Sequence, residues 1–227
     1  MITLISGDVL AIKAGCFDLS ERWSFAGRSA GYMNNVRKEN TMTVKFSENR
    51  NKLIETERLI IREMVQSDFD ALCKILCDEE VMCTAYGSAF SPEEAQNWLN
   101  RQLKRYAEYG FGLWAVVLKE TNEMIGQCGL TLQGWRDKEM LEIGYLFQKA
   151  YWHKGYAAEA AIACKEYAFN VLNASTVYSI VRDTNTASQK VAVRNGMKII
   201  DKDTKNFRYI DMDFFLYSAE RTNEAQI

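Results

Sequence analysis

Residues 142–159 have the sequence EIGYLFQKAYWHKGYAAE. Their apolar beginning predicts a strand that ends near Phe147, and their alanine-rich end predicts a helix that starts at Gly155. The first N–H groups of a helix lack partners and the helix dipole makes that end positive, so the intervening loop, Trp152-His153-Lys154-Gly155, is typical of a phosphate site. A plain strand–helix connection with ordinary caps would show the same pattern.

Predicted strands flank this segment on both sides. They cover 111–119, 123–132 and 140–147, with the turn residues Thr121-Asn122 between the first two. Consecutive strands with short connections pair antiparallel, whereas the strand–helix–strand unit from 140 to 181 predicts one parallel pair. The resulting fold class is α+β, with a mixed, mostly antiparallel sheet of six to seven strands and helices on both faces.

Capping residues mark the clearest helix outside this unit. Ser91 is the expected N-cap, Pro92 stands at the first helical position, Glu94 completes a capping box and Gly110 ends the helix. The other predicted elements are a strand over 56–62, a helix from an N-cap at Ser67 to about Cys77, a strand over 176–181, a helix from Asn185 to Asn195 with Gly196 as its stop, and strands over 197–201 and 209–217.

Charge and hydropathy exclude several function classes. The chain has 28 Lys and Arg against 30 Asp and Glu, a net charge of −2, which argues against nucleic acid or an anionic membrane as the main partner. The longest strongly apolar run, Phe111–Leu118, is far shorter than the roughly 20 residues of a membrane span. The N-terminus lacks a basic segment, and Asp8 and Lys13 interrupt its apolar stretch, so we expect a cytoplasmic protein.

Six cysteines raise the question of a metal or disulfide framework. Cys73 and Cys77 are spaced i,i+4, but His153 is the single histidine and the sequence has no CxxC motif. Structural zinc usually takes four Cys or His ligands. We therefore predict that the cysteines, Cys16 included, are small buried hydrophobic residues and that the protein holds no metal.

Composition divides the chain into three parts. Residues 1–50 are rich in Gly, Ser, Asn and charge, and orderly patterning begins near Leu53. We predict an N-terminal extension over 1–50, a domain over 51–220 and a tail over 221–227. Met42 is a possible alternative start, and the extension is either an appended arm or a segment that packs on the domain or a partner.

Four motifs in this order resemble the GCN5-related N-acetyltransferase (GNAT) superfamily, particularly its ribosomal-protein-alanine N-acetyltransferase branch. Thr56–Arg62 resembles the opening of that branch, Glu142–Tyr145 its fourth strand, and Trp152–Ala160 its coenzyme A pyrophosphate loop. The pattern Asn185…Ser188…Arg194…Gly196-Met197 resembles its second coenzyme motif. The resemblance covers residues 53–219 and implies the GNAT fold, whose parallel strands splay apart.

The same resemblance implies that acetyl-CoA binds in the V-shaped split between those strands. The pantetheine arm would pair with backbone at Tyr145, Leu146 and Phe147, with Asn185 and Ser188 facing it. The pyrophosphate would lie on the loop and helix start formed by Trp152, His153, Lys154, Gly155, Tyr156, Ala157 and Ala158. His153 stands where glycine is common, and a positioning role on the pyrophosphate is expected of it.

Glu142 is the candidate general base for deprotonating the acceptor amine, because partial burial at the mouth of the split would raise its pKa. The alternative is a salt-bridged surface carboxylate. Many relatives have a Tyr four residues before the glycine of the second motif, which protonates the leaving thiolate; Ala192 stands there, so water or Ser188 is the candidate acid. Glu159, one turn into the helix, is expected to tolerate Gln with little kinetic effect.

The predicted function is acetyl transfer from acetyl-CoA to a primary amine, either a protein N-terminus or a small molecule, by a monomer or homodimer. A non-catalytic acyl-CoA-binding regulatory module on the same fold is the alternative, and a purely structural domain is the third. Residues around Tyr86, Trp114 and Trp135 and the last strands are expected to form the acceptor pocket.

Overall fold

The structure, a computed structural model, describes residues 43–50, 52–207 and 210–222. Cys16, the possible start at Met42 and most of the predicted extension lie outside these residues, as do 223–227 of the predicted tail.

A single mixed sheet contains the nine strands of the described residues, in the order β1-β2-β3-β4-β5-β6-β7-β9-β8. The strands are Lys45–Phe46 (β1), Ile54–Glu55 (β2), Leu59–Arg62 (β3), Leu113–Leu118 (β4), Glu123–Trp135 (β5), Lys138–Phe147 (β6), Thr176–Arg182 (β7), Lys198–Phe207 (β8) and Ile210–Glu220 (β9). All pairs are antiparallel except β6–β7, which confirms the predicted fold class. The sheet exceeds the predicted six to seven strands because β1 and β2 have two residues each, too few for a periodic signal.

Five α-helices accompany the sheet in the described residues. They are Phe69–Leu76 (α1), Glu79–Tyr86 (α2), Pro92–Tyr109 (α3), Tyr156–Asn170 (α4) and Thr186–Arg194 (α5). Neighbouring residues of β5 show that α3 and α4 cover opposite faces. Trp98 of α3 donates to Gln127, whereas Cys164 of α4 contacts Cys128, and successive side chains of a strand point to opposite sides.

The predicted caps of α3 are confirmed. Ser91 Oγ accepts from the N–H of Glu94 at 3.2 Å, and the Glu94 carboxylate accepts from the N–H of Ser91 at 2.7 Å. Gly110 ends the helix in the left-handed region at φ 74°. Local chemistry alone therefore determined both ends of this helix.

One prediction about the other helices was wrong, and one helix was missed. Ser67 is not an N-cap but lies in a 3-10 turn, Gln66–Asp68, before α1. Asp68 supplies the side-chain hydrogen bond at this turn instead. Its carboxylate accepts from the N–H of Val65 and forms a salt bridge with Arg62. The sequence analysis also missed α2, whose eight residues include few buried ones.

The C-terminal hairpin is longer than predicted. The strand expected over 197–201 continues to Phe207, and its partner β9 reaches Glu220. β8 is an edge strand, and residues 198–206 include no buried side chain. A strand without a buried face lacks the apolar alternation by which strands are recognised.

Candidate active site

The two parallel strands part at the middle of the sheet. Glu142 and Tyr178 form the register pair between β6 and β7, and Ser179 Oγ donates to the carbonyl of Ile143 at 2.9 Å. Beyond this point β6 continues to pair with β5, for example at Tyr145 with Cys128, but has no ladder partner on the β7 side within the described residues. The split expected from the resemblance is present, bordered by the backbone of residues 144–147.

Three predicted coenzyme residues meet across this split. The Tyr145 hydroxyl lies 3.0 Å from the carbonyl of Ser188 and 2.9 Å from its Oγ. Asn185 Oδ1 caps α5 by accepting from the N–H of Ser188 at 3.0 Å. Burial raises the pKa of Tyr145, so the phenol keeps its proton and donates at neutral pH. Tyr145 thus borders the split with its side chain as well as its backbone, which the sequence analysis did not anticipate.

Residues 152–158 connect the end of β6 to the start of α4. Trp152 Nε1 donates to the carbonyl of Phe147 at 2.9 Å, so the loop folds back on the strand end next to Leu146. Gly155 precedes the helix at φ 83°. In the described part of the chain, the first-turn N–H groups of Tyr156, Ala157 and Ala158 make no hydrogen bond, and they are available to an anion.

His153 has a left-handed backbone, with φ 60°. Glycine adopts this conformation freely, whereas a residue with a Cβ is uncommon there. The backbone therefore explains why glycine is common at this place in the loops that the sequence resembles. The His153 side chain is exposed beside the loop, as is that of Lys154.

Glu142 lies deep between the strands while part of its surface remains accessible to solvent. Its two carboxylate oxygens accept from the N–H of Ile180 and from Thr131 Oγ1, both at 3.3 Å. Burial raises the pKa of Glu142, and these bonds together with the charges of Lys205 and Arg105 only partly offset that rise. Glu142 forms no salt bridge with any described residue, which argues against the surface-pair alternative.

Glu159 has a structural environment that the sequence analysis did not anticipate. Its carboxylate is buried and accepts from Thr56 Oγ1 at 2.6 Å and from the backbone N–H of Arg58 at 3.0 Å. The Arg58 guanidinium completes the set through Nε at 2.7 Å and Nη2 at 2.6 Å. Sequence reasoning gave Thr56 and Arg58 no role; an acidic residue within an alanine-rich helix was the available signal.

The expected acceptor pocket requires one correction. Tyr86 lies close enough to Glu142 for that carboxylate to raise its pKa, although burial is the larger cause. Trp114 is fully buried against Tyr167 of α4, with ring centroids 5.2 Å apart. Trp114 pairs with Cys128 and Glu142 with Thr131, three positions apart along β5, so the two side chains lie on opposite faces of the sheet.

Trp135, the other tryptophan expected in the pocket, connects two hairpins. Trp135 is buried and donates through Nε1 to Asp201 of β8 at 3.0 Å, which ties the β5–β6 hairpin to the C-terminal hairpin. At the position of the missing tyrosine, Ala192 is 1% exposed, so this site contributes packing and no hydroxyl.

Cysteines with described positions are all free thiols. Cys128 and Cys164 are buried as predicted, with their sulfurs 3.5 Å apart, whereas Cys83 is exposed. Cys73 and Cys77 are half-buried, and burial together with Cys77 raises the pKa of Cys73 to about 11. Within the described ranges no group of three Asp, Glu, His or Cys residues is arranged to hold a metal, and none of their helices has the length and apolarity of a membrane span.

Comparisons with known proteins agree with this geometry. The family model described as an acetyltransferase (GNAT) domain matches residues 58–198. The Bacillus subtilis (strain 168) protein YkkB is 33% identical over 148 residues, which are 65% of this chain and 86% of that protein.

Solved structures show the same likeness. A GNAT-family acetyltransferase from Bacillus anthracis aligns with a TM-score of 0.64 at 25% identity, covering 73% of this chain and 96% of that one. RimL, a ribosomal L7/L12 alpha-N-protein acetyltransferase in complex with coenzyme A, shares the fold with a TM-score of 0.60 at 16% identity, over 72% of this chain and 94% of that one. The family match spans more than half of the chain, and the chain therefore belongs to the GNAT family of acetyltransferases.

Proposed function

We propose that this enzyme transfers an acetyl group from acetyl-CoA directly to a primary amine, either a protein N-terminus or a small molecule, with Glu142 as general base. The donor would lie in the split between β6 and β7, with its pantetheine arm along residues 145–147 and beside Asn185 and Ser188. Its pyrophosphate would meet the free N–H groups at the start of α4, where the helix dipole favours negative charge.

The acceptor amine must lose a proton before it attacks, because an ammonium group has no lone pair. A carboxylate whose pKa is raised binds that proton more readily than an ordinary one. In the proposed reaction Glu142 accepts the proton, directly or through water, as the amine nitrogen bonds to the thioester carbonyl carbon. The carbon–sulfur bond then breaks and leaves coenzyme A as a thiolate.

The thiolate must then be protonated, and Ala192 stands where many relatives have the tyrosine that does so. Tyr145 and Ser188 both present hydroxyl groups to the split, and these are hydrogen-bonded to each other. Ser188 or a water molecule is therefore the proposed proton donor, with Tyr145 holding Ser188 in place.

A single observation carries the assignment of the base. Glu142 is an enclosed carboxylate without a salt bridge among the described residues, and it lies where the parallel strands separate. Exchange of Glu142 for Gln keeps the shape and removes the base. We expect Glu142→Gln to lower kcat by about 100-fold or more, the usual contribution of a general base, while the affinity for acetyl-CoA stays within about twofold.

The matched control is Glu139→Gln, an exposed carboxylate on the same strand, which should leave kcat unchanged. Release of coenzyme A with a panel of amines between pH 6 and 9 measures both variants. The native rate should rise with pH as the amine and its base lose their protons, and Glu142→Gln should lack the lower part of that rise. Equal rates for Glu142→Gln and the native enzyme across this range would eliminate Glu142 as the base.

The missing hydroxyl at Ala192 favours one second candidate, a regulatory module that binds acyl-CoA without transferring the acyl group. Calorimetry with acetyl-CoA and the amine panel distinguish the two. Binding without release of coenzyme A for any amine would favour the module.

A further inference from the structure

The carboxylate of Glu159 lies at the centre of a hydrogen-bond network beneath the loop at 152–158. It belongs to the first turns of α4, and its side chain is 7% exposed. Four donors converge on it from the segment that enters β3: the Thr56 hydroxyl and three N–H groups of Arg58. Each lies within 3.0 Å, so the negative charge of Glu159 is fully satisfied inside the protein.

Arg58 also holds the loop itself. Its Nη1 donates to the carbonyl of Lys154 at 3.0 Å, and the guanidinium carbon lies 4.5 Å from the centre of the Tyr156 ring. A Cβ at Gly155 would lie 3.4 Å from Nη2. The guanidinium thus contacts Lys154 and Tyr156, which flank Gly155 in the turn from which α4 starts.

The bond to Lys154 sets the direction of the next amide. A peptide unit is planar and trans, so its C=O and the following N–H point in opposite directions. Because Arg58 binds the carbonyl of Lys154 on the protein side, the N–H of Gly155 is turned away from Arg58. The left-handed residues His153 and Gly155 border this peptide, and such a backbone persists when the surrounding structure determines it.

We propose that Arg58 is a positioning residue for the pyrophosphate site. Its ion pair with Glu159 shields a carboxylate that would otherwise repel phosphate, and its bond to Lys154 orients the Gly155 N–H next to the helix start that phosphate would meet. The inference rests on the proposed function, in that it takes the loop to bind the pyrophosphate of acetyl-CoA. Arg58 acts through the loop and needs no contact with the reacting atoms.

The test compares two ligands that differ in the pyrophosphate. Coenzyme A contains the pyrophosphate and nucleotide, whereas pantetheine ends before them. We expect Arg58→Gln to weaken the binding of coenzyme A about tenfold or more, the size of one lost charge-assisted hydrogen bond, and to leave pantetheine within twofold. The kcat/KM for acetyl-CoA should fall alongside, while that for S-acetylpantetheine and the kcat at saturation stay unchanged.

Two further variants separate positioning from general loss of stability. Arg58→Lys keeps the charge beside Glu159 but lacks the fork that reaches both Glu159 and Lys154, so it should give an intermediate loss for coenzyme A and serves if Arg58→Gln does not fold. Lys119→Gln is the matched control, since Lys119 Nζ donates to the carbonyl of Thr56 at 2.6 Å and pairs with Glu55 away from the loop. It should lower the melting temperature without changing the ratio of the two affinities.

Equal weakening of coenzyme A and pantetheine by the Arg58 variants would overturn this inference and leave the proposed function standing. The same holds if the Arg58 variants bind coenzyme A as the native enzyme does. A native protein that binds coenzyme A but acetylates no amine would contradict the proposed function alone, because the two affinities still report on Arg58.

Discussion

Glu142 and Glu159 begin and end the same 18-residue segment, yet the structure treats their charges in opposite ways. Glu159 accepts from four donors within 3.0 Å, including two nitrogens on one edge of a guanidinium. Glu142 accepts two bonds of 3.3 Å and has no salt bridge among the described residues. One carboxylate is fully compensated and supports a loop, whereas the other is enclosed with a raised pKa, as a base requires.

The largest expected effect on stability comes from saturating acetyl-CoA. This effect tests whether the loop at 152–158, which Glu159 supports, forms a complete binding site. A ligand at 100 times its dissociation constant raises the free energy of unfolding by about 2.7 kcal/mol. Thermal melts at increasing acetyl-CoA concentration measure this rise. A melting temperature that saturating acetyl-CoA leaves unmoved would contradict the binding site at 152–158.

Glu159→Gln tests the compensated carboxylate. Removing one partner of a buried pair is strongly destabilising, but Arg58 is 42% exposed and regains water, so we expect a loss of about 2 kcal/mol in the free energy of unfolding. The glutamine oxygen still accepts from Thr56 and Arg58, so kcat at saturating acetyl-CoA should stay within about twofold. Urea denaturation measures the free energy of unfolding, and steady-state kinetics on the same preparation measure kcat. A loss of kcat comparable to that of Glu142→Gln would break the contrast between the two residues.

Glu142→Gln should raise the free energy of unfolding, whereas Glu159→Gln should lower it. Folding raises the pKa of Glu142, so the native state binds the proton more tightly than the unfolded state does, and stability falls as the pH rises through the interval between the two pKa values. Glutamine carries no charge at any pH, and we expect it to raise the free energy of unfolding by about 1 kcal/mol at pH 8, a common gain when an active-site charge is removed. The gain should shrink as the pH falls toward 4. A variant less stable than the native protein at pH 8 would show that the Glu142 charge is compensated.

Truncation to a chain that starts at Met42 has the smallest expected effect. It keeps β1, which pairs with β2 and whose Phe46 packs edge-on against Tyr167 at 5.7 Å. The predicted domain over 51–220 contains both carboxylates, so the shortened chain should fold and bind acetyl-CoA within about twofold of the full chain. Size-exclusion chromatography and calorimetry test this, and an insoluble or non-binding product would move the boundary.

Local chemistry explains which elements were predictable. The ends of α3 follow from Ser91, Glu94 and Gly110, and the start of α5 from Asn185, because these residues act on backbone groups three or four positions away. The prediction that Ser67 is an N-cap used the same kind of local signal and was wrong. Asp68 accepts from the N–H of Val65 in place of the serine and pairs with Arg62, which β3 places beside the turn, and capping preferences alone do not decide between two adjacent polar residues.

The sequence by itself determined the strand–loop–helix unit, the order of the main elements and the chemical types in the candidate site. These features depend on periodicity, capping and short motifs, all of which act within a few residues. The tertiary structure alone decided the opposite states of Glu142 and Glu159. The environment of Glu159 comes from Thr56 and Arg58, about 100 positions earlier, and that of Glu142 from Thr131 and Ile180 on two other strands. Because burial and hydrogen-bond partners determine how a carboxylate behaves, two residues of identical type acquire different chemistry only when the sheet and helices assemble.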